Sequence, residues 1–333
     1  MAPQRIAFLV NDIQGLEPSQ TTVMLIHQCA SMGHEVTVVG VDRIWLDDHD
    51  HVCGMGASAR PVADRKKQCA DLGIQPLQRV DLEEVDLVWI RTNPARDSER
   101  AWAHEAALPM LGLCQHPLVL NNPYGLQRAS SKLYLHHIPA AYRPRSLITH
   151  DPEQLRAFID EVGDRCVVKP LKGTHGRDVF MLRGSDADNL NQILDIMTRG
   201  GHVIAQEFIP EAVEGDVRLI LLDGDLLEID GHVAAVARVP GSGDFRSNIH
   251  AGGRARAIEP TPLMREASVV VGERLREDGI FLAGADFIGG KLVEVNTFSP
   301  GGLLDSERFY GVEFTAHIIE RALAKVAEHR TMR

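Results

Sequence analysis

The sequence predicts an α/β protein whose C-terminal part is α+β. Short apolar segments alternate with helical segments over the first third of the 333-residue chain. A glycine-rich loop interrupts the central part, and β-rich sequence begins at Asp216. Alternating strands and helices favour a parallel sheet, whereas a run of strands beside a long helix is typical of α+β structure.

The N-terminal segment is predicted to form the parallel sheet. Arg5–Val10 is an apolar run of strand length, and Thr21–Met32 has the apolar spacing of a helix that ends at Gly33. Residues 47–65 are polar and glycine-rich, and they are predicted to form an irregular excursion. The other predicted elements are the strands Glu35–Val41, Val85–Ile90 and Leu118–Leu120 and the helix Asp97–Leu111.

The central segment begins after Asn121-Asn122-Pro123, where the pattern changes. Gly125–His136 has helical spacing, and the prolines of Pro139–Pro144 end it. Asp151 followed by Pro152 is a good start for a helix, because aspartate caps and proline fits the first turn. The remaining predicted elements are the strands Arg165–Lys169, Asp178–Leu182 and His202–Phe208 and the helix Asp186–Thr198.

The C-terminal segment is the richest in strands. A long helix, Thr261–Asp278, separates the first strands from the hairpin Asp286–Asn296, and Gly311–Glu328 is predicted to be a closing helix. The first strands are Val217–Leu222, Leu226–Ile229 and Val233–Val239. The changes of pattern predict three domains: 1–122, 123–204 and 205–333.

The composition is that of a globular protein with a large core. Apolar residues make up 44% of the chain and charged residues 24%. The net charge of −11 argues against non-specific nucleic-acid binding. The chain has 5 cysteines without a Cys-x-x-Cys pair, and no apolar run of transmembrane length. We therefore expect free thiols in a reducing, cytoplasmic setting, with no nucleic-acid and no membrane partner.

The hairpin carries the most informative polar residues, which are Asp286, Glu294 and Asn296. A buried carboxylate is costly unless it is paired or bound to a metal, and hard oxygen ligands suit Mg²⁺. Asp286 shares a face with the other two only if it pairs with Glu294. A two-residue turn at Gly289-Gly290 would prevent that pairing, so we expect a three-residue loop, Gly289–Lys291. The alternative is a surface hairpin with solvated acids.

Two lysines are candidates for phosphate binding. Lys169 ends a short apolar strand and precedes a loop with Gly173 and Gly176, whose backbone N–H groups could cradle phosphates beside the ammonium group. Lys132 is a second lysine inside an otherwise apolar helical stretch. The alternative for Lys169 is an ordinary β-turn with surface lysines.

Gln206 and Glu207 end the apolar strand that begins at His202. Backbone groups at a strand end can bind the edge of adenine, and a nearby acid can accept hydrogen bonds from ribose hydroxyls. The alternative is a buried strand that simply runs into a loop.

Several arginines and one asparagine lie on or beside the β-rich segment. An arginine within an apolar strand usually has a fixed anionic partner. That partner could be a structural carboxylate or a phosphate or carboxylate of a substrate, and the sequence does not decide between them. The residues are Arg218, Arg238, Arg246 and Asn248.

The order of these residues along the chain resembles that of the ATP-grasp ligases, and most closely that of the bacterial glutathione synthetase family. The resemblance covers nearly the whole chain and implies an ATP-grasp fold with an N-terminal parallel-sheet domain, a small central lid and a C-terminal domain. It depends on these segments: Asn122-Pro and Ser131-Lys132-Leu, Lys169-Pro-Leu, Gln206-Glu-Phe-Ile, Asp216-x-Arg218, Ala237-Arg-Val-Pro, Ala251-Gly-Gly-Arg254 and Glu294-Val-Asn-x-x-Ser-Pro300.

The resemblance also implies the activity, which is that of an ATP-dependent carboxylate–amine ligase. A carboxylate attacks the γ-phosphate of ATP, and an amine then displaces phosphate from the acyl phosphate. The implied small-molecule or peptide substrates are γ-glutamylcysteine and glycine. The implied cofactors are ATP and two Mg²⁺ ions, for which Mn²⁺ could substitute, and the implied state is a homo-oligomer, either a dimer or a tetramer.

By the same resemblance each candidate residue receives a role. Phosphates are expected at Lys132, Lys169, Gly173 and Gly176, adenine at Gln206, Glu207, Phe208 and Ile209, and ribose at Asp216. The expected metal ligands are Asp286, Glu294 and Asn296. The expected catalytic residues are Arg218, Arg238 and Asn248, and the expected substrate contacts are Arg91, Arg246, Ser299, Gly301 and Gly302.

The departures from the family pattern fall mainly in substrate-facing parts. His175 stands in the glycine loop where the family usually has glycine, and Thr297-Phe298 replaces Val-Thr. Arg91-Thr-Asn-Pro lacks the family's acidic residue and second proline, and the segment from Arg218 to Arg238 is longer. These differences leave open a related ligase that joins a different amino-acid or peptide pair. From another class, a non-catalytic nucleotide-binding regulator is the further alternative.

Overall fold

The computed structural model describes residues 2–163, 165–171, 179–182, 187–240 and 254–333. Three main sheets follow one another along the chain, with six, four and six strands in the described parts, and one two-stranded ribbon accompanies the third. Within these residues no helix has both the length and the apolar character needed to cross a membrane.

The first sheet has a parallel centre and an antiparallel edge. Its strands are β1 (Arg5–Val10), β2 (Glu35–Leu46), β3 (Val52–Ala59), β4 (Gln78–Asp81), β5 (Leu87–Ile90) and β6 (Leu118–Leu120), in the order β4-β3-β2-β1-β5-β6. β1 pairs in parallel with β2 and β5, and β5 pairs in parallel with β6, as predicted. β3 pairs antiparallel with β2 and β4. The helices of this part are α1 (Thr21–Ser31), α2 (Arg65–Ile74) and α3 (Ala101–Leu111).

The expectation of an irregular excursion over residues 47–65 is wrong for its middle part, where β3 covers Val52–Ala59. Gly54 and Gly56 lie on this strand. A Cβ at Gly56 would come within 2.5 Å of the Thr37 side chain on β2. These glycines therefore allow a close approach between strands, which is a recognised use of glycine in a strand interior.

The second sheet is antiparallel. Its described strands are β7 (Ser146–Thr149), β8 (Cys166–Pro170), β9 (Phe180–Leu182) and β10 (Val203–Glu207), in the order β7-β10-β8-β9. The preceding segment forms α4 (Pro123–Arg128) and a 3₁₀ helix (Lys132–His137) in place of one predicted helix. Two helices, α5 (Pro152–Val162) and α6 (Ala187–Arg199), share a core with the sheet. Asp151 caps α5 as predicted, and its side chain accepts a hydrogen bond from the Glu153 N–H.

The third sheet carries the hairpin. Its strands are β11 (Asp216–Leu222), β12 (Asp225–Leu226), β15 (Ala235–Val239), β16 (Arg254–Arg256), β17 (Leu282–Ile288) and β18 (Lys291–Asn296), and the ribbon is β13 (Glu228–Ile229) with β14 (His232–Val233). The helices are α7 (Pro262–Glu277), α8 (Leu303–Tyr310) and α9 (Phe314–Thr331), of which α8 was not predicted. Residues of α9 share an apolar core with β1, so the closing helix packs against the N-terminal part.

Buried Asn121 joins the first and third sheets. Its side-chain oxygen accepts hydrogen bonds from the N–H groups of Phe281 and Leu282, at 2.8 and 3.0 Å. Its amide nitrogen donates to the carbonyl oxygens of Leu282 and Thr297, at 3.1 and 2.6 Å. One side chain thus fixes the end of β6 against both ends of the hairpin.

Candidate active site

The β17–β18 hairpin sets the register of the predicted metal ligands. Asp286 pairs with Glu294, as predicted. The turn itself differs, because Ile288 pairs with Lys291 and only Gly289-Gly290 lies between them. Both glycines have positive φ, 53° and 80°, as a tight hairpin turn requires. The expected three-residue loop is therefore wrong.

A β-bulge restores the predicted register. Phe287 pairs with Leu292, and the register shifts between Asp286 and Phe287, which leaves Val293 as the extra residue. Phe287 and Leu292 are fully buried in the core. Because side chains alternate across a strand, the pair Asp286 and Glu294 faces the opposite side of the sheet.

That side of the hairpin forms a wall of a cleft of about 900 Å³. All three main sheets contribute to its lining. Every predicted site residue that the structure describes lies in it: Arg91, Lys132, Lys169, Gln206, Glu207, Phe208, Ile209, Asp216, Arg218, Arg238, Asp286, Glu294, Asn296, Ser299, Gly301 and Gly302. The predicted residues Gly173, Gly176, Arg246 and Asn248 lie outside the described part of the chain.

Two arginines hold the buried carboxylate of Asp286. Arg218 donates from Nε and from a terminal nitrogen to the two Asp286 oxygens, both at 2.7 Å. Arg238 donates to Asp286 at 2.8 Å and, through Nε, to Asp216 at 2.5 Å. Burial alone would raise the pKa of Asp286, but the two guanidinium groups hold it well below its usual range. Both arginines therefore have structural carboxylates as partners, which was the first of the two alternatives.

Lys169 lies on the opposite wall of the cleft, on β8. Its Nζ donates to Gln206 Oε1 at 3.0 Å, and Gln206 Nε2 donates to Ser146 Oγ at 3.2 Å. Burial lowers the pKa of Lys169 to about 8, with Glu294 acting to raise it and Lys132 to lower it further. Burial also lowers the pKa of Lys132. Two desolvated ammonium groups at one site do not fit the surface-turn alternative, and they suit a polyanion.

The segment after β10 offers backbone groups to the same cleft. Within the described residues, neither the Phe208 carbonyl nor the Ile209 N–H makes a hydrogen bond. The Arg165 guanidinium lies 4.2 Å from the centre of the Phe208 ring and covers one of its faces. A donor and an acceptor at adjacent positions can bind the edge of a planar base.

The donor set on the hairpin fits a hard divalent cation. Among the described residues, the carboxylate of Glu294 and the side-chain oxygen of Asn296 make no hydrogen bond, and both residues line the cleft. The Asn296 amide nitrogen donates to Asp286 at 3.2 Å, which turns its oxygen away from that carboxylate. Carboxylate and carboxamide oxygens are ligands that Mg²⁺ accepts.

The sequence reasoning missed most of the N-terminal wall of the cleft. Asn11 and Asn93 exchange hydrogen bonds of 2.6 and 3.1 Å, and Arg100 pairs with Asp12 at 2.8 Å and with Asp97 at 3.0 Å. A signal for them was present. Polar residues directly follow β1 and β5, and binding sites gather at the carboxyl ends of neighbouring parallel strands.

The fold and the cleft define an ATP-grasp protein. The structure is similar to the ATP-grasp ligase PsnB, solved with a phosphomimetic variant of its minimal precursor, Mg and ADP. The TM-score is 0.61 at 18% identity, over 96% of this chain and 98% of that one. At this identity the likeness establishes the fold alone.

The family follows from the sequence itself. The N-terminal domain of prokaryotic glutathione synthetase matches residues 4–127, and its ATP-grasp domain matches residues 131–311. The glutathione synthetase of Thermosynechococcus vestitus is 31% identical over 328 residues, 94% of this chain and 98% of that one. That of Synechococcus elongatus is 33% identical over 328 residues, 92% and 94% of the two chains. The chain belongs to the prokaryotic glutathione synthetase family.

Membership confirms the predicted class of enzyme. The chain is an ATP-dependent ligase that forms amide bonds, and the family implies the use of ATP with a divalent metal.

Proposed function

We propose that the chain is a glutathione synthetase, which joins γ-glutamylcysteine to glycine with hydrolysis of ATP to ADP and phosphate. The observation that carries this proposal is the family match over nearly the whole chain, including the N-terminal part. It is supported by a cleft in which two desolvated lysines face an acidic hairpin.

ATP is proposed to lie between the second and third sheets. Lys132 and Lys169 hold the phosphates, which the low dielectric around their ammonium groups favours. The Phe208 carbonyl and the Ile209 N–H bind the adenine edge. Asp216, which accepts a hydrogen bond from Arg238, is the proposed neighbour of the ribose.

Glu294, Asn296 and Asp286 are proposed to hold two Mg²⁺ ions, for which Mn²⁺ can substitute. When bound there, the metal would neutralise charge on the phosphates. Because both oxygens of Asp286 accept bonds from arginines, Glu294 is the ligand with the most available charge.

The chain's own residues supply positioning and electrostatic stabilisation. The cysteinyl carboxylate attacks the γ-phosphorus, an O–P bond forms, and the bond to the ADP oxygen breaks. The glycine amine then attacks the acyl carbon, phosphate leaves, and the amine releases a proton. Asp286 fixes Arg218 and Arg238 in place beforehand, so their charges need little reorganisation as the acyl phosphate forms. No covalent enzyme nucleophile takes part.

The domain division is also a proposal. The three sheets support boundaries close to those expected at residues 122 and 204. β10 pairs with β7 and β8 as far as Glu207, so we place the second boundary after Glu207.

A homo-oligomer, dimer or tetramer, and a cytoplasmic location are proposed as well. All 5 cysteines are free, which suits a reducing compartment. Light scattering on the purified chain would test the oligomeric state.

The test of the activity is amine-dependent ADP release with a panel of carboxylates, with products identified by mass spectrometry. We expect glutathione as the dominant product. A different ligated pair would support the related-ligase alternative. ATP binding without any amine-dependent turnover would support the regulator, and in that case the proposed function is wrong.

A further inference from the structure

Arg91 is a buried cation that forms no salt bridge with any described residue. It follows β5 directly, is 4% exposed and lines the cleft. Its Nε donates to Thr22 Oγ1 at 3.3 Å, and a terminal nitrogen donates to the Pro300 carbonyl at 3.4 Å. Within the described residues no carboxylate pairs with it, and burial lowers its pKa to about 9. A buried charge of this kind is costly unless something neutralises it.

The nearest helix end adds to the positive potential. Thr22 is the second residue of α1, whose N-terminus enters the cleft wall with Gln20, Thr21 and Thr22. The N-cap residue, Gln20, makes no capping hydrogen bond with its side chain to the described part of the chain, and the first turn contains no acidic residue. Among the described residues the N–H groups of Thr21, Thr22 and Val23 have no hydrogen-bond acceptor. Unsatisfied N–H groups at a helix N-terminus attract anions.

Arg96, which also lines the cleft, has no salt bridge among the described residues either, but it is exposed, whereas Arg91 is buried. The other, more buried arginines of the cleft do have carboxylate partners. Arg100 has Asp12 and Asp97 as partners, and Arg218 has Asp286. Arg91 therefore marks a place where the chain supplies positive charge and leaves the negative charge to a ligand. Because Arg91 donates to the Pro300 carbonyl, its guanidinium group lies beside the loop that follows Asn296.

We infer that Arg91 and the N-terminus of α1 form a subsite for a substrate carboxylate that does not react. The inference deepens the proposed function and rests on it. γ-Glutamylcysteine has two carboxylates. The cysteinyl carboxylate is activated near Arg218 and Arg238, and the glutamyl α-carboxylate at the other end of the dipeptide is bound by Arg91. The shape of the guanidinium fork suits a carboxylate.

A pair of matched substrates tests the subsite. 4-Aminobutyrylcysteine lacks only the glutamyl α-carboxylate of γ-glutamylcysteine. In the wild type we expect its kcat/KM to be about 10- to 100-fold lower, mainly through KM, because a charge-assisted contact is lost. Arg91→Gln should show nearly equal kcat/KM for the two dipeptides, and Arg91→Lys should retain part of the difference. Arg265→Gln is the matched control, because Arg265 pairs with Glu228 outside the cleft, and it should keep the wild-type ratio.

The outcomes separate the two proposals. An unchanged ratio between the dipeptides in Arg91→Gln rejects the subsite, as does an equal kcat/KM in the wild type. If Arg91→Gln does not fold, which its melting curve and ATP titration reveal, an unchanged ratio in Arg91→Lys rejects the subsite instead. Failure of the wild type to turn over either dipeptide rejects the proposed function, and the subsite with it.

Discussion

Lys169 gives the proposed nucleotide site a measurable pH dependence. Burial lowers the pKa of this lysine to about 8, while phosphates bind its charged form. In the free enzyme the ammonium group therefore loses its proton as the pH rises through about 8. Binding of ATP must restore that proton, so ATP affinity should fall above this pH.

The size of the effect follows from the pKa. With a pKa of about 8, roughly one tenth of the molecules carry the charge at pH 9, so affinity should be about tenfold lower there than at pH 7. Lys169→Arg keeps a charge throughout this range, because the guanidinium group stays protonated. In this variant ATP affinity should therefore not fall near pH 8, whatever its absolute value.

Calorimetric titration of ATP with Mg²⁺ across this pH range measures the effect directly. Titrations at about pH 9 in buffers of different ionisation enthalpy should show proton uptake close to one per ATP bound, as expected from linkage. Lys291→Arg is the matched control, because Lys291 donates to the Ala141 carbonyl outside the cleft. In that variant ATP affinity should still fall near pH 8. ATP affinity that is independent of pH in the wild type, or that falls near pH 8 in Lys169→Arg as well, would refute the proposed role of Lys169 in phosphate binding.

Three other changes should have distinct effects. Glu294→Gln should abolish turnover with an unchanged melting temperature, because it removes the available carboxylate from the metal site; near-normal ADP release at saturating Mg²⁺ would contradict this. Asn121→Ala should lower the free energy of unfolding by about 3 kcal/mol in denaturant melts, since it leaves buried backbone groups unpaired, whereas exposed Asn189→Ala should be nearly neutral. Changing Thr297-Phe298 to Val-Thr and Gly301 to Thr should alter relative kcat/KM across the substrate panel while ATP affinity stays constant; fixed ratios would show that this loop does not set specificity.

The sequence predicted the elements whose signals are local. α5 and α7 begin at residues whose side chains cap them, Asp151 and Thr261, and each cap is followed by proline. β1, β5 and β6 are short apolar runs near their predicted positions, whereas β2 begins where predicted but continues to Leu46. In these cases the signal lies in the neighbouring residues of the sequence.

Where the prediction failed, a distant residue decided the outcome. Gly54 and Gly56 have the residue type of a loop, yet they lie on β3, where β2 passes so closely that a larger side chain would collide with Val39 or Thr37. The hairpin register was right for a reason that the sequence did not show. The Gly289-Gly290 turn alone would have placed Val293 opposite Asp286, and the bulge corrects this.

The site was predicted by residue type and order, but its pairings were not. The order of lysines, arginines and acids along the chain identified one cleft. It did not reveal that Arg218 and Arg238 converge on Asp286, because strand pairing across the third sheet creates that contact. The Asp12–Arg100 pair was missed for a similar reason, since its partners are 88 positions apart.

The pairing of Asp286 also bears on how a metal is held. Two guanidinium groups neutralise this carboxylate, so Asp286 adds little net negative charge to the cleft. In the proposed metal site Glu294 would then supply most of the attraction for a cation, and the charges of Lys132 and Lys169, which interact with that of Glu294, would oppose it. A cation with water and phosphate as further ligands needs few protein carboxylates. The phosphates of ATP must therefore provide much of the negative charge that holds Mg²⁺, and metal and nucleotide should bind together in the proposed site.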